Sequence, residues 1–343
     1  MYWSLLFAAI LLSGCSTKIK MEVDLGNVSE SEKFHELLED QWEKGIVENP
    51  EWATRLGDNR FNDKLNDASY EMVLKRQDDS RTLLKKVELI DRSALDKEDQ
   101  LNYDLYIDRI KQSIEGYAFQ SYLMPIDQMG GIQIGFAGIS NYMPFKTKKD
   151  YNNYLSRLKA FPEKISQTID LMKRGLASGW LPPKIVLSAV PEQISSQFDT
   201  PINDSPLFEP FKEFPESIQL DEQQDLIDRV KIIIGDEVYP AYRSLHSFFN
   251  EEYLPQCRAT IACSDLPNGM DYYQYQIKSY TTTALTPEAI HQIGLDEVAR
   301  IRKEMSIVIN SSDFDGEFDE FLNFLRTDPR FYYDTEEELL DGY

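Results

Sequence analysis

Apolar residues in this sequence recur three and four positions apart, and that period limits the fold more than any other feature. Leu295, Val298, Ile301, Met305 and Val308 form one such stripe, which winds onto a single face of a helix. The same period returns in Phe34, Leu37, Leu38 and Trp42, in Tyr103, Ile107, Ile110 and Ile114, and in Ile165, Ile169, Met172 and Leu176. It returns again from Leu226 through Val230, Ile233, Val238, Tyr242, Leu245 and Phe249. Helical faces of this kind bury themselves against one another. The predicted fold is therefore mainly α, an antiparallel helical array with at most a small extended element.

Start and stop signals place the helices. Ser29 and Glu32 make a capping box ahead of the first stripe. Further helices are predicted over about 69–87 and 96–116, joined by a short polar loop, so that they pack antiparallel. Helix resumes over 151–176, where Pro162 opens a second part, and over 191–198. Asp221 opens a long helix that Pro240 should kink. Thr286 before Pro287 opens the stripe of Leu295, and that helix is expected to be half-buried. Phe318, Phe321, Leu322 and Leu325 mark a short helix, and Asp334 or Thr335 caps a last one.

Three stretches break the period. Thr281 to Thr283 are β-branched and predict an extended arm into the helix of Leu295. Between Met124 and Gly138, Ile132, Ile134 and Phe136 alternate, which predicts a short extended segment. Four glycines lie there, at 130, 131, 135 and 138, so the stretch is either a tight structural loop or the wall of a substrate cleft. The stretch 199–220 carries prolines at 201, 206, 210 and 215 and predicts an ordered excursion over the surface.

Composition narrows the partners. With 343 residues the chain can bury one large or two ordinary cores. Its 59 acidic against 36 basic residues give a net charge of -23, which repels phosphate backbones and anionic head groups. Nucleic acid is excluded as a partner on that ground. The amino terminus reads as an address. Leu5 to Leu12 is apolar but too short to span a bilayer, and Leu12-Ser13-Gly14-Cys15 resembles a bacterial lipobox. No Lys or Arg precedes the apolar run. Residues 1–14 are expected to be a signal peptide, Cys15 the lipidated residue and membrane anchor, and 15–28 a polar tether. Ser16 follows the cysteine, which by resemblance to enterobacterial sorting favours the outer membrane, facing the periplasm.

No catalytic constellation emerges. The three histidines are His35, His246 and His291, whereas a catalytic zinc site needs about three protein ligands. His35-Glu36-Leu37-Leu38-Glu39 begins like a zinc-protease motif but ends in glutamate, and is expected to face solvent. His291 has Glu288 one turn away, and either a structural hydrogen bond or a ligand role fits it. His246 lies among aromatic residues and is expected to pack. There is no Gly-x-Ser-x-Gly and no phosphate loop. Catalytic, cofactor-binding and metal residues are each predicted as none. Cys257 and Cys263, six apart, are either a disulfide or two buried thiols.

TT-x-x-LTP-x-x-IH-x-x-GL-x-EVARI, which runs from Thr281 to Ile301, resembles a signature block of the bacterial "domain of unknown function 885" family. Further blocks around Pro50–Gly57, Tyr154–Pro162, Gly175–Pro183 and Val238–Pro255 resemble it in order. Members of that family resemble zinc metallopeptidases and often carry a lipoprotein signal. Their metal motif is a His-Glu pair followed by Pro-Gly-His toward the carboxyl terminus, and they are longer than this chain. The resemblance implies that residues 29–343 are the helical amino-terminal half of the family fold, incomplete without a catalytic half and inactive alone. Zinc is implied for the full-length family only. The other implied readings are one subunit of a split metallopeptidase, or a non-catalytic envelope lipoprotein that binds peptides or a partner protein. A half-enzyme is expected to expose apolar surface made for its other half.

Overall fold

The computed structural model describes residues 28–312 and 314–343; the sequence expectations on Cys15 and on most of the tether lie outside them. The chain is mainly α. Its helices are α1 (Glu30–Glu48), α2 (Pro50–Arg55), α3 (Tyr70–Val87), α4 (Lys97–Gly116), α5 (Ile132–Gly135), α6 (Lys148–Ser178) and α7 (Val190–Asp199). They continue as α8 (Leu220–Ile233), α9 (Tyr239–Phe248), α10 (Leu254–Gln256), α11 (Gly269–Thr281), α12 (Pro287–Asn310), α13 (Phe318–Thr327) and α14 (Glu336–Gly342). Among the described residues the only β pairing is one isolated bridge, Pro183 to Arg258.

The main core is built around α6. A capping box of Thr147 and Asp150 starts this helix, and Gly179 in the left-handed region ends it. Tyr154, Leu158, Phe161, Ile165 and Met172 lie on its buried face, against α8 and α9, and α7 packs on α9 in the same core. Pro162 does not divide α6 as the sequence suggested; the helix passes through it unbroken. Buried side chains on both sides of Pro162 hold the axis, which outweighs the local disfavour of proline. At Pro240, where a kink is expected, the helical geometry changes just upstream. A wide π turn at Ile234–Val238 lies just before it, and a second at Phe249–Tyr253 lies just before Pro255. Each proline lacks an N–H and crowds the carbonyl one turn back, and the wide turns absorb that misfit.

A second core lies under α1, α3 and α4. The α3–α4 pair packs as expected, and Phe34 of α1 sits on it, 5.9 Å from the Tyr103 ring. A third cluster joins Phe119, Leu123, Leu171, Trp180 and Leu266 to the aromatic face of α11.

Three expectations are corrected. Pro206–Phe211 is not a surface excursion: Leu207, Phe208 and Phe211 are buried in the main core, and Tyr154 donates to the Leu207 carbonyl at 3.0 Å. Prolines ruled out a long helix there but not burial. Ile132, Ile134 and Phe136 do not form an extended segment. Gly131, at φ 126, reverses the chain and opens the α5 turn instead. The Thr281–Thr283 arm is not extended either. Helix α11 runs to Thr281, and Thr282 ends it in the left-handed region at φ 55. There the Thr281 hydroxyl donates to the Ile277 carbonyl at 2.7 Å and accepts the Thr283 N–H. Threonine hydroxyls finish a helix as well as their branching favours a strand.

Candidate functional site

A cavity opens between α2, α5 and α6, with a volume of about 230 Å³. Its walls are largely apolar: Leu65, Ile132, Phe136, Ile139 and Tyr142. Phe136 stacks on Phe161 at 4.1 Å, so this wall rests on the main core. The mouth is charged. Glu51 and Arg55 lie four apart on α2, hence on one face, and Lys164 comes from α6.

The three charges sit differently. The Lys164 side chain is 14% exposed. Its ammonium donates to the Asn66 carbonyl at 2.9 Å and lies 3.7 Å from Glu51 Oε1. Burial pushes the Lys164 pKa down, and the nearby Glu51 carboxylate acts the other way. Glu51 also accepts the Asn66 N–H at 2.9 Å. Arg55 is exposed and forms no ion pair among the described residues; its guanidinium lies 4.7 Å above the Tyr142 ring. The mouth therefore carries one positive charge beyond the Lys164–Glu51 pair.

Two devices fix the walls. Arg157 of α6 is fully buried. Its Nε donates to the Lys64 carbonyl at 2.8 Å. Its Nη2 donates to Pro50 O, Thr54 Oγ1 and Phe61 O, at 3.0, 2.6 and 3.2 Å. Arg157 thus pins α2 and the turn after it to α6. On the other wall, buried Gln133 donates to the Asp127 and Gly130 carbonyls and reaches Gln193 of α7. Gly131 cannot carry a side chain there, since a Cβ would overlap the Gln133 amide and its φ is positive. Gly135, by contrast, faces open space beside the cavity. Ile132 and Gly135 of the glycine stretch both line this cavity.

The histidines are dispersed. Nε2 of His35 lies 2.8 Å from Oδ1 of buried Asp99, so it ties α1 to α4 while its ring edge stays exposed. His246 hydrogen-bonds Asn250 at 2.9 Å and sets its ring edge on Phe198, which agrees with packing. His291 is exposed on α12. Cys257 is buried, Cys263 is partly buried, and the two are not bonded. Among the described residues no group of three or more His, Cys, Asp or Glu side chains converges as a metal site requires. Among the described residues the histidines do not make up a zinc donor set, because His35 stands on α1, His246 on α9 and His291 on α12.

The His35–Asp99 pair makes stability depend on pH. The Asp99 hydrogen bond raises the His35 pKa, with Asp96 and Glu98 adding to it. Hydrogen bonds from Ser31 and then His35 lower the Asp99 pKa. The histidine's contribution is complete below its ordinary value of about 6.5 and fades as pH rises through its higher folded value. The aspartate's contribution is present above about 3.9 and fades as pH falls through its lower folded value. The thermal midpoint of His35→Gln should therefore fall furthest below wild type between about pH 4 and 6.5 and converge on it as pH rises through the raised folded value of His35. Melts across that range check this, and a pH-independent difference would exclude it.

Helix α12 differs from every other long helix. Its apolar stripe is uncovered: Leu295 is 52% exposed, Val298 56%, Ile301 44% and Met305 36%. Ile309 alone is buried, and α12 packs chiefly on α13. The period correctly predicted the helix, but the expected half-burial of its face is absent.

No curated protein matches the chain. A solved structure described as "the putative lipoprotein from Colwellia psychrerythraea" superposes with a TM-score of 0.80 at 24% identity, over 92% of this chain and 58% of that one. At that identity the likeness speaks for the fold, and this chain spans 58% of that protein's length. The family model described as "Bacterial protein of unknown function (DUF885)" matches residues 50–343. By that match, which takes in most of the sequence, the chain belongs to the DUF885 family.

Proposed function

We propose that this chain is the scaffold part of a bacterial envelope lipoprotein whose α12 stripe seats further polypeptide, and that a zinc-peptidase centre belongs to that polypeptide. The uncovered stripe on α12 carries the proposal. Four large apolar side chains at helical spacing, each more than a third exposed, are costly to leave in water and mark a docking face. The description of the structural neighbour, and its greater length, support the same reading. A lipid on Cys15 would hold the assembly at the outer membrane, facing the periplasm.

The experiment is light scattering on the purified chain beside a Val298→Glu, Ile301→Glu double variant. The wild type is expected to self-associate through the stripe. The variant is expected to be monodisperse with an unchanged thermal midpoint, because both positions are already solvent-exposed. A monomeric wild type, or a variant that melts several degrees lower, would overturn the docking role. Stoichiometric zinc binding with peptide cleavage by this chain alone would overturn the scaffold role.

A further inference from the structure

We propose that the cleft between α2, α5 and α6 binds a small amphipathic carboxylate, with its apolar part against Phe136, Ile139 and Tyr142 and its carboxylate at Arg55. This does not depend on the scaffold reading, because every residue that lines the cleft belongs to the described residues of this chain. Four observations meet here. The cavity of about 230 Å³ is lined mainly by apolar side chains, and holds roughly the space of eight waters. A chain or ring of eight to ten carbons is of about that size. Its mouth carries an exposed arginine with no carboxylate partner, although Glu51 stands one turn away on the same helix. Glu51 is instead engaged by the Asn66 N–H and Lys164. The arginine is held over Tyr142, so its fork is oriented at the rim before any ligand arrives.

The walls are built rather than incidental. Arg157 fixes α2, and Gln133 fixes the α5 turn. Gly131 is required by the backbone, but Gly135 is not. Its φ is ordinary and an added Cβ meets nothing, so Gly135 leaves cavity space that a larger residue would take. A cation is disfavoured at this mouth by Arg55 and by buried Lys164. A dianion is disfavoured by Glu51, which leaves one negative charge as the best match. Two sources offer that chemistry, a medium-chain fatty acid and the carboxyl end of an apolar peptide.

The test uses octanoate and N-acetyl-phenylalanine as probes, with octanamide as the uncharged control, titrated calorimetrically into the whole chain. Octanoate or N-acetyl-phenylalanine is expected to bind at least about tenfold more tightly than octanamide, the worth of one charge-assisted hydrogen bond. Preference between the two probes tells which source the cleft suits. Arg55→Gln should remove the advantage over octanamide. Gly135→Leu should abolish binding of all three while the thermal midpoint stays within about 2 °C of wild type. The Val298→Glu, Ile301→Glu variant should bind like wild type, which separates the cleft from the α12 stripe and a failed docking role from a failed cleft. Equal binding of octanoate and octanamide, binding that survives Gly135→Leu, or no binding of either carboxylate would each overturn the proposal.

Discussion

Arg157→Met is expected to lower the unfolding free energy by about 3–5 kcal/mol, measured by denaturant titration. The guanidinium sits among three carbonyls and one hydroxyl, from Pro50, Phe61, Lys64 and Thr54. An acceptor left dry costs about 1–3 kcal/mol. Pro50 O keeps the Thr54 hydroxyl and Phe61 O the Lys64 N–H, so the loss falls mainly on the Lys64 carbonyl and the Thr54 hydroxyl, which methionine cannot satisfy. Part of that cost is returned, because a buried charge is itself expensive. Burial drags the Arg157 pKa down to about 10, against the pull of Glu51 and Asp63, so the group is still charged at neutral pH. No ion pair at Arg157 appears among the described residues; carbonyl dipoles offset its desolvation. Arg157→Lys should recover little, since one ammonium cannot span acceptors met by both Nε and Nη2. A loss below about 1 kcal/mol for methionine would mean that the α2 corner holds without the arginine. Thr54→Val tests the same corner more gently and should cost about 1–2 kcal/mol.

Arg157 carries a signal legible in the sequence itself. Tyr154, Leu158, Phe161 and Ile165 define a buried face, and position 157 lies on it. A charged residue at a core position of a strong stripe is a signal of its own. Helix existence was readable nearly everywhere, because period and caps are local properties. What a helix face meets is not local. The α12 stripe has the same period as the α6 stripe, yet one is bare and the other buried. The stretch 199–220 failed in the opposite direction: its prolines excluded a long helix, and its aromatic residues filled the core anyway. The cleft was half legible. The glycines announced a special backbone, but Arg55, Glu51 and Lys164 lie far from them in sequence and meet them only through the fold.

Gly269→Ala is expected to destabilise the chain by about 2–3 kcal/mol, although alanine is the better helix former. A Cβ at Gly269 would overlap the carbonyl oxygens of Cys263 and Ser264. Neither can retreat freely. The Leu266 N–H bonds the Cys263 carbonyl at 3.1 Å, and the Gly269 N–H bonds the Leu266 carbonyl at 2.8 Å. The turn is therefore locked against the first residue of α11, which follows Asn268 in the left-handed region at φ 55. Gly294 on α12 supplies the contrast, since nothing lies within 4 Å of a Cβ there. Gly294→Ala should stabilise by roughly 0.5–1 kcal/mol, the ordinary gain in an open helix. The two substitutions are chemically identical and opposite in expected sign, so only the surroundings can separate them. Helix α11 is fastened by Tyr272 against Trp180, 5.3 Å between rings, and by Tyr275 on the Gln112 carbonyl at 3.1 Å. Loosening its first turn should raise proteolysis within 263–285 and leave the cleft at Arg55 unaffected. A Gly269→Ala chain as stable as wild type would show that the 263–269 turn yields, and that α11 is not anchored at its start.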